Sequence, residues 1–149
     1  MIMRKFEVIE KYKHLNPQIP KRATDSSAGY DLAAVEDVTI QPNEIKMIPT
    51  GLKVQIPKTE AMFIFARSSI AIKKGLLLSN GVGVVDSDYY NNESNEGHIM
   101  VSLLNIRDHE VTIEKGERVA QGIFLTYQKT DDDETGNVAR LGGFGSSGK

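Results

Sequence analysis

The segment Asn80–Tyr89, with the sequence NGVGVVDSDY, combines residue types that could activate water. Two glycines precede a short apolar strand, and the strand ends at the carboxylate of Asp86. Glycines at such positions indicate a bulge or a backbone that something approaches closely. We expect the valines beside Asp86 to shield it partly from water, and a shielded carboxylate can hold and deprotonate a bound water. A plain hairpin turn is the alternative, because Asp-Ser-Asp is also good turn material.

A second stretch carries groups suited to an anion. The sequence ARSSI places Arg67, Ser68 and Ser69 at the predicted start of a short helix. Exposed N–H groups at a helix start favour an anion, and the arginine adds a fork of charged donors. An ordinary helix N-cap beside an exposed arginine is the alternative.

Three further stretches have weaker signals. Ser27–Ala33 sets Asp31 next to a tyrosine and a glycine, which a β-turn would also explain. Gly116–Gln121 can be a turn that leads into a buried strand. Gly142–Gly148 offers backbone N–H groups and hydroxyls to phosphate, and Phe144 could stack on a base. An unstructured terminus is the alternative there.

The composition limits the classes of protein that can carry these stretches. The chain has 149 residues, enough for one domain with a real core, and 18 basic against 20 acidic side chains. This balance argues against general binding to nucleic acid or membranes. The chain contains no cysteine, which excludes disulfides and cysteine zinc sites. Its start has charges too early for a signal peptide, and no apolar run approaches a membrane span, so we expect a cytoplasmic protein.

The rest of the chain consists mostly of short extended segments separated by turn residues, and these must position the stretches above. This pattern predicts an all-β barrel or sandwich. The predicted strands are Met3–Glu10, Val38–Ile40, Ile45–Ile48, Gly51–Ile56, Ala61–Phe65, Ile99–Leu104, Val111–Ile113 and Gln121–Tyr127. One short helix is predicted at Ser68–Lys74, capped by Ser68 or Ser69 and ended by Gly75. The acidic run Asp131–Glu134 is typical of a solvated linker, and a metal site is the alternative.

Taken together, the five stretches resemble the five motifs of the trimeric dUTP pyrophosphatases, or dUTPases, in the family order. The motifs are AGYDLAA (28–34), RSSIAIKKG (67–75), NGVGVVDSDYY (80–90), GERVAQ (116–121) and GGFGSSG (142–148). The resemblance implies a jelly-roll-like distorted barrel over residues 1–134 and a flexible glycine-rich arm over 135–149 that completes an active site. It also implies hydrolysis of dUTP to dUMP and pyrophosphate, which limits uracil in DNA and supplies dUMP for thymidylate synthesis.

The resemblance implies roles for individual residues in that reaction. Asp86 would hold the water that attacks the α-phosphorus, and Tyr89 would pack beneath the deoxyribose and exclude a 2′-hydroxyl. Asn80 and the backbone around Gly83 would read the polar edge of uracil, where unpaired groups reject a wrong base strongly. Further residues would hold the phosphates, namely Arg67, Ser68, Ser69 and Gln121, together with Arg140, Gly145, Ser146 and Ser147 of the arm, while Phe144 would cover uracil.

The resemblance also implies a Mg²⁺ on the phosphates, which Asp31 would contact through water, and a homotrimer with shared active sites, whose arm comes from a neighbour. The segment Tyr90–Gly97 is several residues longer than in the family pattern. It is either a harmless loop or a surface for a protein partner. A dCTP deaminase of the same superfamily and a regulatory module switched by nucleotide are the competing functions.

Overall fold

Antiparallel strands form most of the protein. The structure is a computed structural model and describes residues 3–135 and 140–143. The strands in these ranges are β1 Lys5–Val8, β2 Tyr30–Ala33, β3 Val38–Ile40, β4 Ile45–Pro49, β5 Leu52–Gln55, β6 Glu60–Ala66, β7 Leu76–Leu78, β8 Gly83–Asp86, β9 Met100–Asn105, β10 Val111–Ile113 and β11 Arg118–Thr126. The helices in these ranges are α1 Ser68–Lys74 and the 3₁₀ helices Glu10–Leu15 and Ser87–Tyr89.

The strands pair into small sheets, and the largest has the order β2-β11-β6-β8. Its centre is the long antiparallel pair of β11 with β6, in which Ala120 lies opposite Ala66 and Thr126 opposite Glu60. A second sheet has the order β4-β9-β7, and the pairs β1-β5 and β3-β10 complete the strand pairing. Since β6 lies between β8 and β11, positions along both neighbouring strands can be compared through the residues of β6 that lie opposite them.

The core lies between these sheets and follows the two-residue period of the strands. Along β9, Val101 and Leu103 are buried while their neighbours are more exposed. The largest fully buried side chains are Leu32, Ile40, Ile48, Leu52, Met62, Leu76, Ile99, Leu103, Ile113, Val54, Val101 and Val119. These aliphatic side chains come from most of the strands, so the core joins the sheets into one unit.

Several sequence predictions are confirmed, and two are wrong in detail. The all-β class, the strands Val38–Ile40 and Val111–Ile113 and the helix Ser68–Lys74 have the predicted bounds. The first strand is shorter than predicted, because a 3₁₀ helix begins at Glu10. Neither serine caps α1: the N-cap residue is Arg67, and no side chain caps it. Gly75 ends the helix as predicted, with a left-handed φ of 63°.

Residues 131–134 of the acidic run are all exposed, as a solvated linker should be. Among the helices that the structure describes, none is long and apolar enough to cross a membrane.

Candidate active site

The segment with the candidate carboxylate forms a turn followed by β8, an edge strand of the large sheet. Strand β8 pairs with β6 so that Gly83 lies opposite Ile64 and Asp86 opposite Ala61. Gly81 makes the preceding turn with a φ of +75°. A side chain at Gly83 would place its Cβ 3.1 Å from the Cβ of Ile64, which is closer than most such contacts. This glycine therefore allows β8 to lie close against β6.

A small cavity of about 230 Å³ lies beside this turn and β8, and we refer to it as the hairpin cavity. Its walls are Ile64, Asn80, Gly83, Val84, Val85, Asp86, Tyr89, His98, Ile99, Met100, Arg140 and Gly143. The structure thus brings together five of the predicted site residues, which are Asn80, Gly83, Asp86, Tyr89 and Arg140. Aliphatic walls with a few polar groups are typical of a small-molecule site.

Asp86 is not shielded from water in the way that its valine neighbours suggest. Its side chain is 51% exposed, and Val84 is 57% exposed. The prediction fails because side chains alternate along β8, so Val84 and Asp86 point to its exposed face while Val85 points to the core. The partner of Asp86 is Arg140, whose Nη2 donates to Oδ2 at 2.6 Å.

Arg140 also connects a second carboxylate to the end of the described chain. Its Nε donates to Oδ1 of Asp88 at 2.7 Å, and its Nη1 donates to the carbonyl of Gly142 at 2.9 Å. The next residue, Gly143, lies so close to Tyr89 that a Cβ there would be 2.6 Å from Cε1 of the ring. Residues 140–143 therefore lie over the cavity of their own chain.

Tyr89 forms a fixed wall of the cavity. The residue is 7% exposed, and its hydroxyl donates to the carbonyl of His98 at 2.6 Å. The same oxygen accepts a hydrogen bond from Nδ2 of Asn95 at 2.8 Å. Burial raises the pKa of this phenol, so the ring is neutral at physiological pH. A neutral, fixed aromatic ring is suited to packing against a sugar.

Three other predicted residues, Asp31, Arg67 and Gln121, lie together at another place beside the same sheet. With Arg118 they form a group that we call the arginine patch. Nε of Arg67 is 3.3 Å from Oδ1 of Asp31, and Nη1 of Arg118 is 3.4 Å from Oδ2. In the sheet, Asp31 lies opposite Gln121. Gln121 in turn packs against Gly29, where any Cβ would come within 2.4 Å of its Oε1.

A cleft of about 310 Å³ extends the arginine patch along α1. Ser69, Lys73 and Lys74 of the helix line it together with Arg67 and Arg118. Lys74 is neutralised by Glu117, with Nζ 3.0 Å from Oε2. Lys73 and Arg118 are not among the site residues predicted from the sequence. Spacing could have indicated Lys73, because it follows Ser69 by one helical turn, which places both residues on one face of α1.

The hairpin cavity and the arginine patch do not meet within one chain. Asp86 lies opposite Ala61, and Arg67, the first residue after the end of β6, follows Ala61 by six positions. At a rise of about 3.3 Å per residue, roughly 20 Å of strand separates the two groups. The structure therefore separates Asp86 from Arg67, Ser68, Ser69 and Gln121. The candidate residues Phe144, Gly145, Ser146 and Ser147 lie outside the described residues.

The described residues could hold a metal ion only if the phosphates of a bound ligand supply some of its ligands. They contain no group of three or more acidic or histidine side chains that could hold an ion. Asp31 is the carboxylate at the arginine patch, and two guanidinium groups already face it. Mg²⁺ commonly binds proteins through one or two carboxylates, with waters and substrate phosphates as its other ligands. The donor set fits that arrangement.

The fold and these two groups define a class of protein: an all-β protein with a carboxylate beside one cavity and a separate arginine-rich patch. The family model described as dUTPase matches residues 16–148. The deoxyuridine 5′-triphosphate nucleotidohydrolase of Lactococcus lactis is 52% identical over 149 residues, which cover 99% of each chain.

Two solved structures extend the comparison. The dUTPase from Streptococcus mutans is 45% identical, with a TM-score of 0.80 over 85% of this chain and 98% of that chain. A mutant dUTPase from phage phi11 of Staphylococcus aureus, in which a structural Mg(II) ion is coordinated, has a TM-score of 0.73 at 17% identity and covers 91% and 98%. The chain belongs to the dUTPase family, and the predicted jelly-roll-like fold is confirmed.

Proposed function

We propose that the hairpin cavity and the arginine patch are two parts of one active site for dUTP hydrolysis, and that they come from different chains. As a member of its family the protein is a dUTP diphosphatase, which converts dUTP to dUMP and pyrophosphate. The observation that carries the proposal is the roughly 20 Å of β6 between Asp86 and Arg67. Groups this far apart on one chain cannot both act on the same phosphorus atom.

The hairpin cavity binds the nucleoside, and Asp86 in its wall acts as the general base. Asn80 and the backbone at Gly83 pair with the polar edge of uracil, and the Tyr89 ring packs against the deoxyribose. Asp86 accepts a proton from a water molecule whose oxygen attacks the α-phosphorus. The bond from this phosphorus to the α–β bridging oxygen then breaks, and pyrophosphate leaves. Exposure of Asp86 in the single chain is consistent with a site that only a neighbour closes.

The arginine patch of a neighbouring chain binds the triphosphate. Arg67 and Gln121 contribute charged and neutral donors, and Ser68 and Ser69 contribute hydroxyl and backbone donors at the start of α1. Asp31 would hold Mg²⁺ through water, and the ion, when bound with the substrate, neutralises charge on the phosphates. Catalysis then depends on orientation and on electrostatic stabilisation more than on covalent chemistry.

The arm, residues 135–149, completes the site in this proposal. Phe144 covers uracil, and Gly145, Ser146, Ser147 and Arg140 donate hydrogen bonds to the phosphates. Contacts of residues 140–143 with Asp86 and Tyr89 support a place for the arm over a hairpin cavity. Whether a chain's own arm or a neighbour's arm serves each site depends on the assembly, and we propose the neighbour's.

An exposed apolar row on the sheet β4-β9-β7 supports the homotrimer. Ile45 and Leu77 lie opposite Leu104 on its two sides, so the three side chains share one face. Ile45 and Leu77 are exposed in the single chain. Apolar rows of this kind are typical of surfaces that another chain covers. Light scattering should therefore give three times the chain mass, and a monomer would contradict the assembly.

The reaction is tested by pyrophosphate release from dUTP, dTTP, dCTP and UTP with Mg²⁺. We expect turnover of dUTP well above the other three. Asp86→Asn should nearly abolish this release while dUTP still binds, because the amide cannot accept the proton of the water. Undiminished turnover in Asp86→Asn would show that Asp86 does not activate the attacking water. Release of ammonia from dCTP would favour a dCTP deaminase instead.

The sharing of sites is tested by mixing two inactive variants. Arg67→Ala trimers and Asp86→Asn trimers are combined after denaturation and refolding. If each site takes Arg67 and Asp86 from different chains, about a quarter of the sites in an equal mixture contain both intact residues. Recovery of about a quarter of the wild-type rate supports shared sites. If every site is built from one chain, no rate returns.

A protein partner at Tyr90–Gly97 is a second proposal, with narrower support. Asn91, Glu93 and Ser94 are exposed on this segment and are available to a partner. Most other polar groups of the segment are bonded within the chain, which favours a structural role. The cytoplasmic location stays a prediction.

A further inference from the structure

The segment 90–97 is folded against its own chain. Nζ of Lys53 donates to Oδ1 of Asn91 at 2.6 Å and to Oε1 of Glu96 at 2.8 Å. The backbone N–H of Glu10 donates to Oε2 of Glu96 at 3.1 Å. These bonds fix the segment to β5 and to the start of the first 3₁₀ helix. The segment is several residues longer than in the family pattern.

Two asparagines of this segment bind Tyr89, one at its backbone carbonyl and one at its phenolic oxygen. Nδ2 of Asn92 donates to the backbone carbonyl of Tyr89 at 2.8 Å, and Nδ2 of Asn95 donates to its phenolic oxygen at 2.8 Å. Nδ2 of Asn92 also donates to Oδ1 of Asn95 at 2.8 Å, so the two amides are joined. Asn92 is buried, and each of these amides has further bonds within the segment.

We propose that Asn95, oriented by Asn92, is a positioning residue that sets discrimination against ribonucleotides by fixing the Tyr89 ring. This inference rests on the proposed function, in which that ring packs against the deoxyribose. The phenolic oxygen accepts from Asn95 and donates to the carbonyl of His98, so two bonds fix its position. A ring held in this way cannot move back to admit a 2′-hydroxyl. Without the Asn95 donor, the ring gains freedom and the site accepts UTP more readily.

The segment could instead serve only to stabilise the fold, and specificity separates the two roles. A purely structural contact changes the melting temperature and the amount of active enzyme, which affects dUTP and UTP equally. A positioning contact changes the ratio of kcat/KM for dUTP to kcat/KM for UTP. We expect Asn95→Ala to lower this ratio about tenfold, the equivalent of one net hydrogen bond.

The test measures this ratio for the complete protein with Mg²⁺ in Asn95→Ala and in four further variants. Asn95→Asp retains the acceptor oxygen and replaces only the donor to the phenol, so it remains informative if Asn95→Ala folds poorly. Tyr89→Phe removes the phenolic oxygen on which Asn95 acts. In the double variant Asn95→Ala/Tyr89→Phe, loss of Asn95 should therefore have little additional effect on the ratio. Glu93→Ala, at an exposed position of the same segment, is the matched control and should leave the ratio unchanged.

The outcomes separate this inference from the function that it assumes. A lower ratio in Asn95→Asp, with non-additive effects in the double variant, supports it. A folded Asn95→Asp with the wild-type ratio overturns it, as do fully additive effects. A wild-type protein that hydrolyses UTP as well as dUTP overturns the proposed role of Tyr89 as well.

Discussion

Arg140 donates to the carboxylate of Asp86 at 2.6 Å, so the residue proposed to activate water is paired with a cation from the C-terminal arm. The same guanidinium donates to Asp88 at 2.7 Å. A charge-assisted bond of this kind holds residues 140–143 over the hairpin cavity of their own chain. These residues and the carboxylate of Asp86 are therefore coupled, and a change in Arg140 should affect both.

Arg140→Ala should lower kcat/KM for dUTP by about tenfold or more, because a hydrogen bond to a charged group contributes roughly 1.5–3 kcal/mol. Arg140→Lys should lower it less, since it retains the charge but not the two-pronged geometry. Pyrophosphate release over a range of dUTP concentrations measures both effects. Lys129→Ala, at an exposed position before the arm, is the control and should behave as the wild type. Equal rates for all four proteins would show that Arg140 has no part in the site.

Deletion of residues 135–149 should remove most activity and leave the assembly intact. The deletion removes Arg140 and Gly143 from the hairpin cavity, together with the proposed cover over uracil. It leaves the apolar row of Ile45, Leu77 and Leu104 unchanged. Light scattering and pyrophosphate release on the same sample measure the two effects. A deletion variant with the wild-type rate would contradict the role of the arm, and a dissociated one would show that the arm also joins the chains.

The sequence predicts regular elements well where pattern and local chemistry agree. The helix Ser68–Lys74 has its predicted bounds because Gly75 can adopt the left-handed conformation that ends it. Strand β2 was not predicted, since Tyr30-Asp31-Leu32-Ala33 follows a glycine and contains an aspartate, which favours a turn. Its place in the sheet comes from pairing with β11, a contact between distant parts of the chain.

The candidate site shows the same division between local and distant contacts. The five motifs identify its residues, but they do not show that Asp86 and Arg67 lie far apart on one chain. Shielding of Asp86 was predicted wrongly because the sequence does not reveal that Asp86 shares the exposed face of β8 with Val84. The bonds of Asn92 and Asn95 to Tyr89 depend on left-handed backbone at Asn91 and Glu96, which composition alone does not indicate.

Gly97→Ala should destabilise the fold more than Gly116→Ala does. Both glycines have left-handed backbone, with φ of 89° and 85°, so both substitutions introduce the same kind of strain. A Cβ at Gly97 would also lie 2.9 Å from the carbonyl oxygen of Tyr89, whereas nothing lies within 4 Å of a Cβ at Gly116. We expect the crowded site to cost about 1–3 kcal/mol beyond the open one. Urea unfolding at fixed chain concentration measures both, and equal losses would contradict the crowding at Gly97.

The stability of the protein should fall as the pH falls from about 6.5 towards 4, because of His98. This side chain is buried, and its Nε2 accepts a hydrogen bond from the N–H of Gly51 at 3.0 Å. Burial lowers the pKa of His98 to about 4, against an ordinary value of 6.5 in the unfolded chain. Between these values the unfolded state binds the proton and the folded state does not, so acid favours unfolding. The stabilisation is complete above pH 6.5 and is lost as the pH falls to 4.

The measurement is urea unfolding between pH 7.5 and 5 at fixed chain concentration, for the wild type and for His98→Gln. Glutamine can still accept the bond from Gly51 but does not titrate, so its free energy of unfolding should change less over this range. Carboxylates with lowered pKa values, such as Glu60 and Glu96, stay ionised there and contribute little to the slope. If both proteins lose stability equally between pH 7.5 and 5, buried neutral His98 is not the cause of the acid sensitivity.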